Sequence, residues 1–137
     1  MELSPCVTLT FNGNCDAAFR FYEQLLGGKI VFTLKWGKSS MAKDAPPEWH
    51  DKILYQRINI GTLSIGAGDA LPGTYAKPAG FSLMLNVPNV EEGKRLFAAL
   101  AENGTVNVPL QETFWAAGYG HVTDQFGIPW EVDCDKG

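Results

Sequence analysis

The chain reads as an α+β protein in which one β-α-β-β-β unit is written twice, and three observations predict that class. Runs rich in β-branched and aromatic residues, such as PCVTLTF, KIVFTLKW, KILYQRINI and FSLMLNV, are separated by Gly, Asn and Pro clusters that stop strands. Two segments, CDAAFRFYEQLLGG and NVEEGKRLFAALAENG, carry apolar residues at helical spacing. A shift of 75 positions superposes those helices, with Asn14 on Asn89, Asp16 on Glu91, Phe21 on Leu96, Tyr22 on Phe97 and Leu25 on Leu100.

In chain order, residues 5–11 form the first strand and end at the Asn12-Gly13-Asn14 turn. In the helix that follows, Asn14 or Asp16 is placed to cap the open N–H groups, Phe19, Tyr22, Leu25 and Leu26 share one face, and Gly27-Gly28 supplies the left-handed stop. Residues 29–36 read as a strand ending at Trp36, and GKSSMAKDAPPEWHD reads as a loop. Two short strands, KILYQRINI and TLSIGAG, close the first unit. After the loop DALPGTYAKPAG the pattern restarts: a strand at 81–87, a helix with Asn89 and Glu92 as a capping box and Gly104 as its stop, and the strand TVNVPL. Extended backward, the same shift lays Val7 on Ser82 and Leu9 on Met84. Each unit would then have a sheet with one face under its helix and one face free, and two such faces can oppose each other across a cleft.

Composition limits function. Hydrophobic residues make up 45% and charged residues 19%, a globular balance. A formal charge of −4 without a Lys/Arg run gives no footprint for nucleic acid or an anionic membrane. No segment reaches the ~18 apolar residues of a membrane span, and the opening MELSPCVTLTF has no signal-peptide pattern, so a cytoplasmic protein is expected. Cys6, Cys15 and Cys134 have no metal-knuckle spacing and read as buried thiols acting as small hydrophobes.

FNGNCDAAFRFYEQLLGG, VEEGKRLFAALAENG and, most specifically, ETFWAAGYGHVTDQFGIPWEV resemble the PhnB-like branch of the vicinal-oxygen-chelate, or glyoxalase/bleomycin-resistance, superfamily. The resemblance implies a single domain over residues 1–137, made of two βαβββ modules (about 4–69 and 79–135) whose curved mixed sheets enclose a cavity, assembled as a homodimer. Metal-dependent members are similar in four inward ligands, because a divalent ion with oxygen and imidazole donors keeps positions open for two neighbouring substrate oxygens. Here Glu131 keeps the last-strand ligand position, whereas PCVTLTF offers no ligand, Ser82 stands near the expected imidazole, and the fourth strand has its acid only at its end, Asp69. One carboxylate does not hold a first-row metal tightly, so no metal or other cofactor is expected; were a divalent ion bound, Glu131 and His121 would be its ligands.

The final hairpin can be counted residue by residue. Gln125-Phe126-Gly127 reads as a three-residue loop, so Asp124 pairs with Ile128 and His121 faces Glu131, with Tyr119 and Asp133 on the same side. Ile128, Trp130, Val132 and Cys134 fall on the other side as a stripe for a helix. His121 and Glu131 are the candidate catalytic residues, a cavity pair for general acid/base work or for holding a ligand; a strand pair that only satisfies two polar groups is the alternative. Candidate ligand-binding residues are Trp115 and Tyr119 as stacking walls, Tyr55 on the third strand, Trp36, His50 in the loop, and Asp69, for which turn capping is the alternative. Gly118 and Gly120 read as relief of crowding beneath a helix, with close backbone approach to a ligand as the alternative.

Three function classes follow: a PhnB-like protein binding a small organic molecule in an aromatic-lined cavity, a metal-dependent lyase, isomerase or dioxygenase, and an antibiotic-sequestering resistance protein whose tryptophans stack on a cationic drug. A nucleoside-cofactor methyltransferase is not expected, because no Gly-rich strand-to-helix turn followed by an acid is present.

Overall fold

A computed structural model describes residues 1–137 as two units, Met1–Lys77 and Pro78–Gly137. In the first, β1 (Val7–Phe11), α1 (Cys15–Leu26), β2 (Lys29–Lys35), β3 (Ile53–Ile60) and β4 (Leu63–Asp69) form a sheet of order β1-β4-β3-β2. In the second, β5 (Leu83–Val87), α2 (Val90–Ala101), β6 (Thr105–Gln111), β7 (Gly118–Thr123) and β8 (Pro129–Cys134) give β5-β8-β7-β6. Each sheet is mixed: the strand before the helix runs parallel to the last strand of its unit, and the other pairings are antiparallel.

The two helices repeat at the expected shift of 75, but the strands do not: β1 matches β5, and β2 matches β6, at 76. Val7 therefore corresponds to Leu83 and Leu9 to Leu85, not to Ser82 and Met84. The cause is local. Asn12, Gly13 and Asn14 link β1 to α1, whereas only Pro88 and Asn89 link β5 to α2, and the missing residue is restored after α2.

Each helix covers one face of its own sheet. Under α1, Leu9, Phe11, Ile58, Ile65 and Ala67 meet Phe19 and Tyr22, all essentially inaccessible to solvent, with Phe11 and Phe19 edge to face at 6.1 Å. Under α2, the predicted stripe Ile128, Trp130, Val132 and Cys134 is buried together with Leu96, Phe97 and Leu100. Each such large side chain contributes about 1.5–3 kcal/mol by leaving water. Small residues let the helix approach: a Cβ at Gly93 would lie 2.1 Å from Cys134 Sγ, and one at Gly120 would lie 2.5 Å from Phe97 Cε1. Crowding beneath the helix is thus the role of Gly120, and of Gly118, whose Cβ would stand 3.2 Å from Val90 Cγ2.

Several helix ends differ from expectation. Neither Asn14 nor Asp16 caps α1. Asn14 is not extended, and the Cys15 N–H instead donates to Asp69 Oδ1 at 3.0 Å, freeing Asp16 for Arg20 and Gln56. Asn89 does cap α2, accepting from the Glu92 N–H at 2.9 Å, but the Glu92 carboxylate turns to Arg95 instead of closing the box. After α2, Asn103 takes the left-handed conformation (φ 59°) in place of Gly104. Gly104 is needed for a different reason, since a Cβ there would sit 2.3 Å from the Thr123 carbonyl oxygen. The segment after β2 carries three single-turn 3-10 helices, at Trp36–Lys38, Ala42–Asp44 and Pro47–Trp49. Cys15 and Cys134 are buried as expected, whereas Cys6 is exposed because it precedes β1.

Candidate functional site

The face of the second sheet away from α2 holds the polar residues of the final hairpin. The register is the one counted from the sequence: Tyr119 opposes Asp133, His121 opposes Glu131, and the Asp124 N–H donates to the Ile128 carbonyl around Gly127 (φ 89°). Burial alternates along both strands, so Tyr119, His121, Glu131 and Asp133 stand together on the helix-free side, partly open to solvent.

Glu131 is the centre of this cluster. Its carboxylate accepts from the Tyr119 hydroxyl and, at 2.8 Å, from Ser82 Oγ. The Tyr119 bond and then the Ser82 bond outweigh desolvation and hold the Glu131 carboxyl below the usual range for glutamic acid. The reciprocal effect pushes Tyr119 up to about 12, first through its bond to Glu131 and then through desolvation and the Glu131 and Asp133 charges. At neutral pH the pair is therefore an ionised carboxylate beside a protonated phenol.

His121 does not bond Glu131 directly. Its Nδ1 lies 3.0 Å from Asn107 Nδ2, which also donates to Thr123 Oγ1 at 3.1 Å. An amide NH2 only donates, so Nδ1 accepts and the imidazole proton sits on Nε2. A hollow of about 480 Å³ is lined by Phe81, Ser82, His121, Thr123 and Glu131, a volume that suits a small organic molecule. Beside it Tyr119 stacks edge-on against half-exposed Trp115 at 5.3 Å, and Trp115 walls a second hollow of about 460 Å³ with Asn86, Asp133 and Asp135.

The first-unit candidates have different surroundings. Asp69 is on the helix-covered side of β4, 3% exposed, and its carboxylate accepts from the backbone N–H groups of Gly13 (2.9 Å), Cys15 (3.0 Å) and Ile53 (2.8 Å). Those are the contacts of the turn-capping alternative. Trp36 is buried and donates its indole N–H to the Asp69 carbonyl at 3.1 Å. His50 Nε2 donates to the carbonyls of Ala42 and Ala45 at 3.0 and 3.1 Å, stapling the loop. Tyr55 alone among the four stands on the helix-free face, its ring over Gly66, where a Cβ would be 2.6 Å from the phenol oxygen.

Matching the copies strand by strand tests the fit of a metal. Glu131 lies between His121 and Met84; the corresponding residue between Arg57 and Thr8 is Gly66, not Asp69. Asp69 corresponds to Cys134, on the other face. No three His, Cys, Asp or Glu side chains converge as a metal would require, so the donors present do not fit a tightly held ion.

Sequence reasoning missed Ser82 as the partner of Glu131, and missed Asn107 and Arg57 altogether. Arg57 had a signal, being the one charged residue within an otherwise apolar and amide-bearing strand, with the parity of Tyr55. Asn107 had none, because β6 pairs with β7 through register shifts that spacing does not show.

Residues 7–132 match the family model described as Glyoxalase/Bleomycin resistance protein/Dioxygenase superfamily. Protein YjdN of Escherichia coli (strain K12) is 38% identical over 144 residues, covering 99% of this chain and 97% of that protein. The crystal structure of protein PA1353 from Pseudomonas aeruginosa is similar with a TM-score of 0.87 and 43% identity, over 98% of each chain. The PhnB protein of Bacillus cereus shares the fold with a TM-score of 0.82 at 18% identity, over 96% of this chain and 99% of its own. No helix is long and apolar enough to cross a membrane.

Proposed function

The chain belongs to the glyoxalase/bleomycin resistance protein/dioxygenase superfamily, and on that premise we propose that it is a PhnB-like protein binding a small organic molecule at the Glu131 hollow, without a tightly bound metal. One observation carries the reading: Glu131, held ionised by Tyr119 and Ser82, lines a hollow together with His121. The carboxylate keeps lone pairs for a ligand donor, and His121 Nε2–H offers a donor to a ligand acceptor. The two are equipped to take and return a proton on a ligand held between them. Phe81 gives this hollow an apolar wall, and Trp115, with Tyr119 stacked against it, walls the neighbouring hollow. Tyr55, on the first unit's open face, is in this reading a ligand contact of that unit's own sheet, whereas Trp36, His50 and Asp69 act through the scaffold that their hydrogen bonds build.

The metal-dependent alternative is disfavoured by the donor set, chiefly by glycine at position 66. The working form is a homodimer of single-domain, two-module chains in the cytoplasm. Met84 and Val106 are each 45% exposed, apolar surface of the kind that a second copy covers.

The test is a panel of small amines, alcohols and carbonyl compounds followed by tryptophan fluorescence and thermal shift, with elemental analysis of unchelated protein. A compound that saturates the wild type and binds Glu131→Gln at least about tenfold more weakly supports the reading, since a charge-assisted hydrogen bond is lost. Equal binding by Glu131→Gln, or one equivalent of metal that this substitution removes, overturns it.

A further inference from the structure

The open face of the first sheet carries a guanidinium without a counter-charge. The chain has three arginines. Arg20 pairs with Asp16 and Arg95 with Glu92, whereas Arg57 is in no ion pair. It is nevertheless held in place: Nη1 donates to Ser64 Oγ at 2.7 Å, Nη2 donates to the Tyr55 hydroxyl, and the guanidinium carbon stands 5.6 Å from the Tyr55 ring centroid. Two of its five N–H groups are used, leaving three, including Nε–H, without a partner in the chain.

The neighbours explain why the charge is not neutralised. Arg57 pairs across the sheet with Phe32 on one side and Gly66 on the other. Gly66 is the first-copy counterpart of Glu131, so the position that carries the carboxylate beside His121 is vacant beside Arg57. Thr8, Thr10, Ser64 and Gly68, which share the face, bring no carboxylate. Phe32, 49% exposed, lies 6.0 Å from the Tyr55 ring, and the two rings give an apolar floor next to the cation.

We infer that Arg57, oriented by Tyr55 and Ser64 beside Phe32, is a binding site for the oxyanion of a small acid with an apolar body. A planar guanidinium with adjacent free N–H groups grips a carboxylate or phosphate-type group through two parallel hydrogen bonds, and the rings take the ligand's hydrocarbon.

The test is a titration of the full chain, labelled with nitrogen-15, by benzoate, inorganic phosphate and benzyl alcohol, observing the arginine Nε–H signals and the amides of Phe32 and Gly66. Benzoate should shift Arg57 saturably, inorganic phosphate should do so more weakly, and benzyl alcohol should leave it unmoved. Arg57→Gln should weaken benzoate binding at least about tenfold, and Arg57→Lys, which keeps charge but not the fork, should weaken it several-fold. Retained amide dispersion in Arg57→Lys guards against an unfolded Arg57→Gln. The inference is overturned if both anions leave Arg57 unmoved, if benzyl alcohol acts as benzoate does, or if Arg57→Gln keeps wild-type affinity. Equal affinity for phosphate and benzoate would remove the apolar half of the assignment.

Discussion

Asp69 offers the sharpest test of how this scaffold is held. Replacing it with alanine strands three backbone N–H groups, those of Gly13, Cys15 and Ile53, at a residue 3% exposed. A hydrogen bond to a charged acceptor is worth about 1.5–3 kcal/mol, but the three share one side chain and water can enter the space left, so the sum is not threefold. The expected loss is about 3–5 kcal/mol, which lowers the midpoint of thermal unfolding by on the order of 10 °C in a chain of this size. Asp69→Asn should fall between, because one amide oxygen can still serve Gly13 and Cys15 while its NH2 confronts the Ile53 N–H. Urea unfolding followed by circular dichroism and by tryptophan emission measures both, and Trp36, bonded to the Asp69 carbonyl, reports locally. A loss below about 1 kcal/mol for Asp69→Ala would refute the capping argument, the more so if ligand binding vanished at the same time.

The Tyr119–Glu131 pair predicts two pH effects. Tyr119 favours folding below the unfolded value of 10.0, a contribution lost as pH rises toward about 12, and Glu131→Gln should bring its ultraviolet titration back toward 10.0. Glu131, lowered by Tyr119, contributes above the ordinary 4.5 and loses that contribution as pH falls through its folded value; Tyr119→Phe should raise its carboxyl carbon titration in nuclear magnetic resonance. Asn89→Ala should cost about 1 kcal/mol in urea unfolding, whereas Asn14→Ala, whose amide oxygen is buried without a partner, should cost less than about half of that. Gly120→Ala presses on Phe97 and on Leu110 Cα, 3.0 Å away, and should destabilise by about 1–3 kcal/mol, with Phe97→Leu in the same chain recovering part.

The sequence made the strand and helix pattern legible because both signals are local: alternation along β7 and β8 and 3.6-residue spacing in α1 and α2. The hairpin register followed from one turn, so the shared face of His121 and Glu131 could be counted without coordinates. Long-range polar contacts were not legible. Asp69 meets Cys15 across 54 positions and Ser82 meets Glu131 across 49, and no local pattern encodes either. The shift of 76 was hidden by a one-residue difference in a linker, which leaves the helix match intact while moving the residues of the first two strands of each unit by one. His121 and Glu131 oppose each other as counted but do not bond, because opposition in a register fixes where two Cα atoms lie, and side-chain partners such as Asn107 then decide which way an imidazole turns.

The cap on α1 also bears on the order in which this chain acquires its structure. A helix of 12 residues is a marginal object in water, and its opening turn here is completed by a carboxylate that belongs to the last strand of the unit. Closing that long loop must precede the reward, which ties the first helix to late, non-local assembly, whereas the second, with its own asparagine three residues from the amide it serves, is free to nucleate early. The two caps therefore predict that α2 forms before α1, which pulse-labelling hydrogen exchange during refolding checks.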